Sequence, residues 1–255
     1  MAAGQGKRMN NPSLAKVMHP LGGRPLVDHV IELARKNAAE NIIVIVGHQR
    51  ESVEEFLRAA HPDVSIAVQE QQLGTAHAVM QAGPALAQFE GDVLILSGDA
   101  PMTRPETTAR MLARHRESGA SVTVLTALLP DPTGYGRVIR GDDGQILRIV
   151  EHKDASDAER AVNEINSGIY VFRKADLFNA LARVDNNNAQ GEYYLPDVFA
   201  MFAREGRRME PCIVDSFDEI RGVNTVEQLL EMERVYAATH DTAAEGGYDN
   251  RTVHA

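Results

Sequence analysis

Residues 41–47, NIIVIVG, form a short run of β-branched apolar residues that ends in glycine, and this run sets the fold class of the chain. An apolar run without polar alternation is typical of a parallel strand that is buried on both faces. Before it, residues 24–36 place apolar side chains at three- and four-residue spacing, which predicts an amphipathic helix. A helix followed by such a strand predicts an α/β protein with a parallel sheet.

The same alternation of helices and strands continues after residue 47. The pattern predicts a helix at 51–60, a strand at 64–68, a helix from about Thr75 to Ala82, a strand at 92–99 and a helix from Pro105 to about Ser118. Helical crossovers of this length connect parallel strands in the right-handed sense. The first half is therefore expected to be a doubly wound, mostly parallel, Rossmann-like sheet.

The pattern loosens after residue 120. It predicts a strand at 121–129, a β-hairpin at 137–151 around the turn DDG, a strand at 166–172, a helix at about 174–183 and a helix near 225–238. We expect a mixed sheet with a smaller antiparallel lobe as one wall of a cleft. One domain is expected over residues 1–238, and residues 239–255, which have few large apolar side chains, are expected to be a linker or disordered tail.

Composition narrows the class of protein. The 255 residues carry a net charge of −10, which disfavours a general nucleic-acid or membrane-surface binder because a polyanion would be repelled. The single cysteine, Cys212, excludes an internal disulfide and a thiolate metal cluster. No run of about 18 apolar residues exists, and the N-terminus lacks the apolar stretch of a signal peptide. We expect a soluble cytoplasmic protein.

The opening loop, MAAGQGKRM (residues 1–9), combines two glycines with the cations Lys7 and Arg8. Glycines let backbone N–H groups approach phosphate oxygens, and the cations would add positive charge against a triphosphate. Lys16 is a third candidate. Phosphate loops normally follow a buried strand, so a strand is expected in front of this one. The alternative is an ordinary exposed, basic N-terminus.

A carboxylate follows the apolar strand in LSGDAP, residues 96–101. Gly98 and Asp99 would lie at the carboxyl edge of the sheet, where open α/β folds bind ligands. Asp99 is suited to Mg²⁺, a hard ion that takes one or two carboxylates together with phosphate oxygens. The alternative role of Asp99 is a turn or helix cap before Pro101.

The stretch QEQQLGTAHAV, residues 69–79, carries amide side chains. Gln69 and Gln72 offer a donor and an acceptor together, as needed to recognise the edge of a nucleobase. Gly74 and Thr75 would let the backbone approach the base, or serve only as a helix N-cap. His77 lies within the following helix and is interpreted as structural.

Taken in order, these and further motifs resemble one family. The motifs are MAAGQGKRM, VMHPLGGRPLVDHVI, IVGH, EQQLGTAHAV, LSGDAP, DPTGYGRV, VEHKDA, EINSGIY, NNNAQGEYYLPDV and GVNT. They are similar to the pyrophosphorylase domain of the bacterial bifunctional N-acetylglucosamine-1-phosphate uridyltransferase/glucosamine-1-phosphate acetyltransferase. The resemblance spans residues 1–238, and DPTGYGR, EINSG and NNNAQGEYY make it specific.

The resemblance implies uridylyl transfer from UTP to N-acetyl-α-D-glucosamine 1-phosphate, giving UDP-N-acetylglucosamine and pyrophosphate with Mg²⁺ as cofactor. Such an enzyme is a UDP-N-acetylglucosamine diphosphorylase of cell-wall precursor synthesis. Its partners are these small molecules, with neither nucleic acid nor membrane. Two alternatives stay open: a nucleotidyltransferase that acts on glucose 1-phosphate, and a non-catalytic nucleotide-sugar binding module.

The resemblance also implies roles for individual residues. Arg8 and Lys16 would be catalytic, stabilising charge on the α-phosphate and on the departing pyrophosphate. Asp99 and Asn224 would hold Mg²⁺. The substrate-binding positions would be Ala2, Ala3, Gly4, Gln69, Gly74, Thr75, Gly98, Gly136, Glu151, Asn166 and Asn224, with Tyr135 and Tyr194 as walls of the sugar pocket.

The sequence departs from the family pattern in three places. The family's apolar strand before the loop is not present, and its removal is expected to be severe because that strand is central to the sheet. Lys16 follows Leu14-Ala15 instead of Leu-Pro, with one extra residue in NNPS (10–13), so Lys16 is expected to be shifted. The left-handed β-helix half is absent, so neither acetyltransferase activity nor the family's trimer contacts are expected.

Overall fold

The computed structural model describes residues 1–9 and 14–245. The strands are β1 Pro20–Leu21, β2 Arg24–Pro25, β3 Ile43–Val46, β4 Ser65–Val68, β5 Asp92–Ile95, β6 Val122–Leu128, β7 Arg137–Arg140, β8 Ile146–Val150, β9 Glu164–Arg173 and β10 Met209–Ile213. The α-helices are α1 Leu26–Lys36, α2 Arg50–Ala60, α3 Thr75–Met80, α4 Pro105–Ser118, α5 Asp157–Arg160, α6 Lys174–Leu181, α7 Asp197–Arg204 and α8 Val226–Glu245. None of the helices in the described ranges has the length and apolarity needed to cross a bilayer.

The central sheet has the strand order β10–β6–β9–β7–β8, and β5 pairs with β9 on the side opposite β6. β9 is antiparallel to both β5 and β6, while β10 is parallel to β6, so β5, β6 and β10 run in one direction. β3 and β4 form a separate parallel pair. The predicted mixed α/β sheet is confirmed.

The first two residues link the two sheets. The backbone N–H of Ala2 donates to the carbonyl of Ile45 in β3 (2.8 Å), and the amine of Met1 donates to the carbonyl of Leu96 just after β5 (2.7 Å). Ala2 pairs with Val46 as an isolated parallel bridge. Hydrogen bonds therefore hold the start of the opening loop between the carboxyl ends of β3 and β5.

A smaller antiparallel lobe extends from the central sheet. β7 and β8 form the predicted hairpin, and Arg137 of β7 pairs with Ile165 in the first half of β9. The second half of β9 belongs to the main core, where Phe172 packs among Tyr170, Phe199 and Phe202. One long strand, β9, thus joins the small lobe to the central sheet.

Three features differ from the sequence-based expectations. The sequence pattern does not predict β10 or α7. β10 contains Pro211, which is tolerated in an edge strand because the backbone groups on its outer side pair with no other strand. α8 continues to Glu245, beyond the tail boundary expected at 239. The hydroxyl of Thr239 donates to the carbonyls of Val235 and Tyr236 inside this helix. Alanine-rich sequence sustains a helix without large apolar residues. Residues 246–255 lie outside the described residues.

Candidate active site

Three separate segments meet at the carboxyl end of β5. Lys16 lies in a short 3₁₀ turn that is anchored by the buried side chains of Ala15 and Val17, and its ammonium forms an ion pair with the carboxylate of Asp99. The same ammonium donates to Oδ1 of Asn224 (3.2 Å). Three of the residues predicted to share one site therefore do meet, from positions as far apart as 208 residues.

The loop before α8 is held against this cluster by backbone contacts. The N–H of Val223 donates to the carbonyl of Asp99 (2.9 Å), and the N–H of Asn224 donates to the side chain of Gln228 (2.8 Å). A Cβ on Gly222 would lie 3.4 Å from Oδ2 of Asp99, an ordinary van der Waals distance, so the loop lies directly against this carboxylate. The Asn224 oxygen is thereby fixed beside Asp99.

The predicted phosphate loop has a buried and an open part. Ala2 and Ala3 are buried in the core, whereas Gly4 is exposed with open space around it. Gly98 donates its N–H to the carbonyl of Met1 (2.8 Å), and a Cβ there would lie 2.6 Å from that oxygen. The structure thus gives Gly98 a packing role under the loop, and its part in substrate binding stays a prediction.

Arg8 is not brought to the cluster. Its side chain is exposed and forms no hydrogen bond or ion pair with any other residue in the described ranges. Its neighbour Met9 is buried against Leu26 and Val223, which fixes the backbone beneath it. Among the described residues Arg8 is therefore an exposed cation without a partner, on a turn that its buried neighbour Met9 anchors. The side chain of Lys7 and residues 10–13 lie outside the described residues.

The predicted base-recognition loop is tied to the segment at 193–195. The carbonyl of Tyr193 accepts from the N–H of Ala76 (2.9 Å), and the hydroxyl of Thr75 accepts from the N–H of Leu195 (2.9 Å). Gly74 has a φ of 110°, and a Cβ on it would lie 2.5 Å from the Tyr193 carbonyl oxygen. Only glycine fits such a position without strain.

Gln69 is buried at the base of this loop with a fixed amide. Its Nε2 donates to the carbonyl of Gly74 (3.0 Å) and lies 3.0 Å from Nδ1 of His77. Because Nε2 is held at the Gly74 carbonyl, Oε1 is the amide atom left for a ligand. This contact agrees with the interpretation of His77 as a structural residue. His77 and Gln69 are eight residues apart, across a strand end and a loop, and no sequence pattern indicates that their side chains meet.

The predicted sugar-binding residues meet where the small lobe joins β9. The N–H of Asn166 donates to the carbonyl of Gly136 (2.9 Å), and a Cβ on Gly136 would lie 3.4 Å from Oε1 of Glu151. Between Asn166 and Tyr170 the register of β9 against β6 shifts, and such bulges redirect side chains next to binding sites. Nδ2 of Asn166 donates to the Tyr170 hydroxyl (2.8 Å).

The electrostatics of this second cluster are acidic. Burial raises the pKa of the Glu151 carboxyl, and the nearby charges of Asp154, Asp197 and Glu192 raise it further. Burial is also the main cause that raises the pKa of Asp197 to about 6, with Asp185 and Asp154 adding to it. The pocket around Glu151 therefore favours neutral hydrogen-bonding partners such as sugar hydroxyls over anions.

The two tyrosines predicted as pocket walls lie on different sides. Tyr194 is buried, and its hydroxyl accepts from the amide of Gln190 (2.6 Å). Tyr135 packs edge-on against Phe217 (5.7 Å between ring centroids), and burial raises its pKa. Asp99 and Arg221 lie near enough to Tyr135 to act on its hydroxyl electrostatically. Tyr135, which directly precedes Gly136 of the sugar cluster, is therefore within electrostatic reach of Asp99.

The oxygens of Asp99 and Asn224 are suited to a divalent cation. Both oxygens face one cationic group, the Lys16 ammonium, so they already define a position for positive charge. A carboxylate and an amide oxygen are hard donors, and Mg²⁺ commonly uses one or two such ligands with phosphate and water oxygens. The donor set therefore fits Mg²⁺.

A different acidic cluster is formed by Asp28, Glu32 and His61, whose ligand atoms lie within 4.8 Å of one another. Each member already has a cationic partner or a mutual hydrogen bond: Arg24 donates to Asp28 (2.6 Å), and Arg35 donates to Glu32 (2.5 Å). This cluster on α1 and at the end of α2 is thus a charge-compensated packing feature.

Comparisons with known proteins identify the relatives of this chain. A family model described as "Nucleotidyl transferase" matches residues 1–232. The bifunctional protein GlmU of Pelobacter propionicus is 48% identical over 235 residues, covering 92% of this chain and 51% of that protein. The GlmU protein of Geobacillus thermodenitrificans is also 48% identical, with 92% and 50% covered. The chain thus spans about half the length of these curated relatives.

The fold is also found among solved structures. A UDP-glucose pyrophosphorylase complexed with UDP-glucose superposes with a TM-score of 0.75 at 18% identity, covering 93% of this chain and 97% of that one. The apo form of a UDP-glucose pyrophosphorylase superposes with a TM-score of 0.76 at 17% identity. At such low identity the likeness concerns the fold. The match over residues 1–232 establishes the family: this chain belongs to the nucleotidyl transferases.

Proposed function

We propose that this chain transfers a uridylyl group from UTP to N-acetyl-α-D-glucosamine 1-phosphate. The observation that carries the proposal is the meeting of Lys16, Asp99 and Asn224, which provides an ammonium and two oxygen ligands at the carboxyl end of β5. The 48% identity to bifunctional GlmU proteins over nearly the whole chain supports the choice of this reaction among nucleotidyl transfers.

The nucleotide is assigned to the loop between β4 and α3. Oε1 of Gln69 is oriented by Gly74 and His77 to accept a hydrogen bond, and the N3–H of uracil is a donor. In cytosine N3 is an acceptor, so its lone pair would face the lone pair of Gln69 Oε1 and no hydrogen bond would form. The triphosphate would then extend past Gly4 toward Lys16 and Arg8.

The sugar is assigned to the cluster of Gly136, Glu151 and Asn166. The backbone and amide groups there suit the N-acetyl group, and the buried carboxylate of Glu151 suits a hydroxyl donor. Tyr135, next to Gly136 of this cluster, is within electrostatic reach of Asp99, and we place the phosphate on the anomeric carbon toward the cations. The sugar phosphate and the nucleotide would thus meet near Lys16.

The reaction is an in-line displacement at the α-phosphorus of UTP. A phosphate oxygen of the sugar 1-phosphate forms the new P–O bond, the bond between the α-phosphorus and the bridging oxygen breaks, and pyrophosphate leaves with that electron pair. The nucleophile is already an anion near neutral pH, so no general base is needed. Lys16 and Arg8 would neutralise the phosphates and hold the leaving group.

Asp99 and Asn224 would hold Mg²⁺. When bound, this ion supplies positive charge to the phosphate oxygens and reduces repulsion between the two anionic substrates. The chain's own groups would set the position of the ion. The hydrogen bond from the backbone N–H of Val223 to the carbonyl of Asp99 holds the Asn224 loop beside Asp99. Acetyl transfer belongs to no part of this proposal, since the chain aligns with only half of the bifunctional relatives.

Pyrophosphate release tests the proposal. Purified protein is incubated with Mg²⁺ and UTP, either alone or with N-acetylglucosamine 1-phosphate or glucose 1-phosphate. Release that requires N-acetylglucosamine 1-phosphate supports the proposal. A preference for glucose 1-phosphate would show that glucose 1-phosphate is the acceptor. Nucleotide binding without any release of pyrophosphate would show that the chain is a binding module.

A further inference from the structure

Glu219 is a buried carboxylate that the proposed reaction does not use. It ends a short 3₁₀ turn, Phe217–Glu219, five residues before Asn224, and it is 2% exposed. Its Oε1 has no hydrogen-bond partner among the described residues, and the ion pair with Nε of Arg104 (3.9 Å) involves an arginine side chain that is 60% exposed. A buried carboxylate is costly unless other groups bind it. The contacts of the second oxygen therefore show what Glu219 does.

The second oxygen, Oε2, binds the start of α4. The hydroxyl of Thr107 donates to Oε2 (2.5 Å), and the backbone N–H of Arg104 donates to the same oxygen (3.4 Å). Arg104 is the N-cap residue of α4 and provides no side-chain cap, and Thr107 is the third residue of the helix. In a capping box, a Glu at this third position would accept from the N-cap N–H. Glu219 makes that contact from a distant segment, at the helix end that favours an anion.

The hydrogen bonds to Glu219 join the two segments that carry the proposed cation ligands. In addition to the two bonds to Oε2, the hydroxyl of Thr103 donates to the backbone carbonyl of Glu219 (2.7 Å). We call these three hydrogen bonds the Glu219 link. At the other end of the loop, the N–H of Val223 donates to the carbonyl of Asp99 (2.9 Å). The loop that carries Asn224 is therefore fastened at both ends to the segment that starts at Asp99.

Apolar packing alone does not fix this arrangement. Ile220 and Val223 are buried and anchor the loop, but apolar contacts are non-directional and leave the orientation of nearby polar side chains open. A cavity of about 340 Å³ also borders both segments, and its lining includes Thr103 and Arg104 from one segment and Glu219 from the other. The space beside Glu219 is thus not filled by packing, so the directional bonds of the Glu219 link set how the two segments lie together.

We propose that Glu219 is a positioning residue, whose buried carboxylate binds the start of α4 and thereby holds the Asn224 oxygen beside Asp99. The link itself rests on the hydrogen bonds above. Its consequence for catalysis rests on the proposed function, in which the oxygens of Asp99 and Asn224 receive Mg²⁺. Groups that orient metal ligands typically change metal affinity or activity by about 10–100-fold when they are removed. Glu219 would act in this way, through Asn224 and not on the substrates.

Two substitutions weaken the Glu219 link from opposite sides, and a third is a matched control. Glu219→Gln keeps the shape of the side chain and removes its charge. Thr107→Val removes the hydroxyl that donates to this carboxylate. The control is Thr108→Val, since Thr108 is the next residue of α4 and is also buried. The hydroxyl of Thr108 accepts from the side chain of Asn37 at the end of α1 (2.8 Å), so this bond joins α4 to α1 instead.

Amide hydrogen exchange at Val223 measures the link without reference to the reaction, because this N–H binds Asp99 at the far end of the loop. We expect exchange at Val223 to be about tenfold faster in Glu219→Gln and in Thr107→Val, as for the loss of one charge-assisted hydrogen bond, with the amides of β6 changed less. Thr108→Val should leave the rate at Val223 unchanged relative to β6. The double variant should differ little from Thr107→Val, because the two side chains form one contact.

Pyrophosphate release is then measured in the same proteins. Glu219→Gln and Thr107→Val should need about tenfold more Mg²⁺ for the half-maximal rate, with the KM for N-acetylglucosamine 1-phosphate unchanged. Unchanged exchange at Val223, or equal changes in Thr108→Val, would overturn the proposal. Faster exchange at Val223 with a wild-type requirement for Mg²⁺ would also overturn it. If the wild type releases no pyrophosphate while exchange responds as expected, the link is supported and the proposed reaction is contradicted.

Discussion

The substitution Asp99→Asn tests the chemical centre of the site most directly. It keeps the shape of the side chain and removes its negative charge. In the structure this carboxylate pairs with Lys16 and shares that ammonium with Asn224. The side chains of Lys16 and Asp99 are 14% and 22% exposed, so the pair is partly screened by water.

The structure sets the size of the two expected effects. A charge pair at 4 Å is worth about 4 kcal/mol at an effective dielectric constant of 20, before desolvation is subtracted. For a partly exposed pair the net loss of folding stability is expected to be about 1 kcal/mol. Loss of one preorganised charge partner at a transition state typically lowers turnover by about 10²–10³. The rate effect should therefore greatly exceed the stability effect.

Asp92→Asn is a matched control at the other end of the same strand. Asp92 is 25% exposed and contacts His115 (3.4 Å) and Arg116 (3.6 Å), so it also loses a partly exposed charge pair. Urea unfolding should show similar losses of unfolding free energy for the two variants. The rate of pyrophosphate release at saturating substrates should fall only for Asp99→Asn. This variant should also need more Mg²⁺ to reach its half-maximal rate. A near-wild-type rate for Asp99→Asn, or equal rate losses in the two variants, would refute the assignment of Asp99 to the cation.

Three other substitutions probe the two ligand clusters. Gly74→Ala is expected to destabilise the fold by about 2 kcal/mol more than Gly144→Ala and to raise the KM for UTP. Both glycines have a positive φ, but only Gly74 lacks room for a Cβ. Urea unfolding measures the stability and initial rates measure the KM. Glu151→Gln is expected to raise the KM for N-acetylglucosamine 1-phosphate at least tenfold with the KM for UTP unchanged, because its carboxylate lies among the sugar residues and not at the base. Asp197 has its folded-state pKa raised to about 6 from 3.8, so its contribution to stability is lost as the pH rises from about 4 to 6. Asp197→Asn should therefore be more stable than the wild type at pH 7 and similar at pH 4; equal pH profiles in urea unfolding would contradict this.

The parts of the fold that sequence predicted are those whose burial leaves a periodic pattern. β3 is apolar along its length, β6 is buried at six of its seven positions, and α1 has a regular apolar stripe. β10 escaped prediction because it is an edge strand that contains Pro211, so neither periodicity nor propensity marked it. The extension of α8 escaped because alanine contributes helix propensity but no apolar period.

The site was predictable to the extent that its residues follow strand ends. Asp99 comes after β5 and Gln69 after β4, which places both at one edge of an α/β sheet. The contact between Gln69 and His77 was not predictable, because it depends on the positive φ of Gly74, which turns the loop back onto the strand end. The burial of Ala2 and Ala3 also depends on tertiary contacts, since two alanines carry no pattern.

The charge arrangement bears on the proposed binding of a triphosphate by an acidic protein. The chain carries a net charge of −10, yet a ligand responds to the groups within about a Debye length. Asp99 compensates the charge of Lys16, and Arg8 is exposed to solvent. The described residues therefore supply little unpaired positive charge beside Asp99, and a bound triphosphate would need a cation that it brings with it. The Asp99 and Asn224 oxygens, which already hold one positive group between them, are where such a cation would be received, and Lys16 would then be released toward the phosphates.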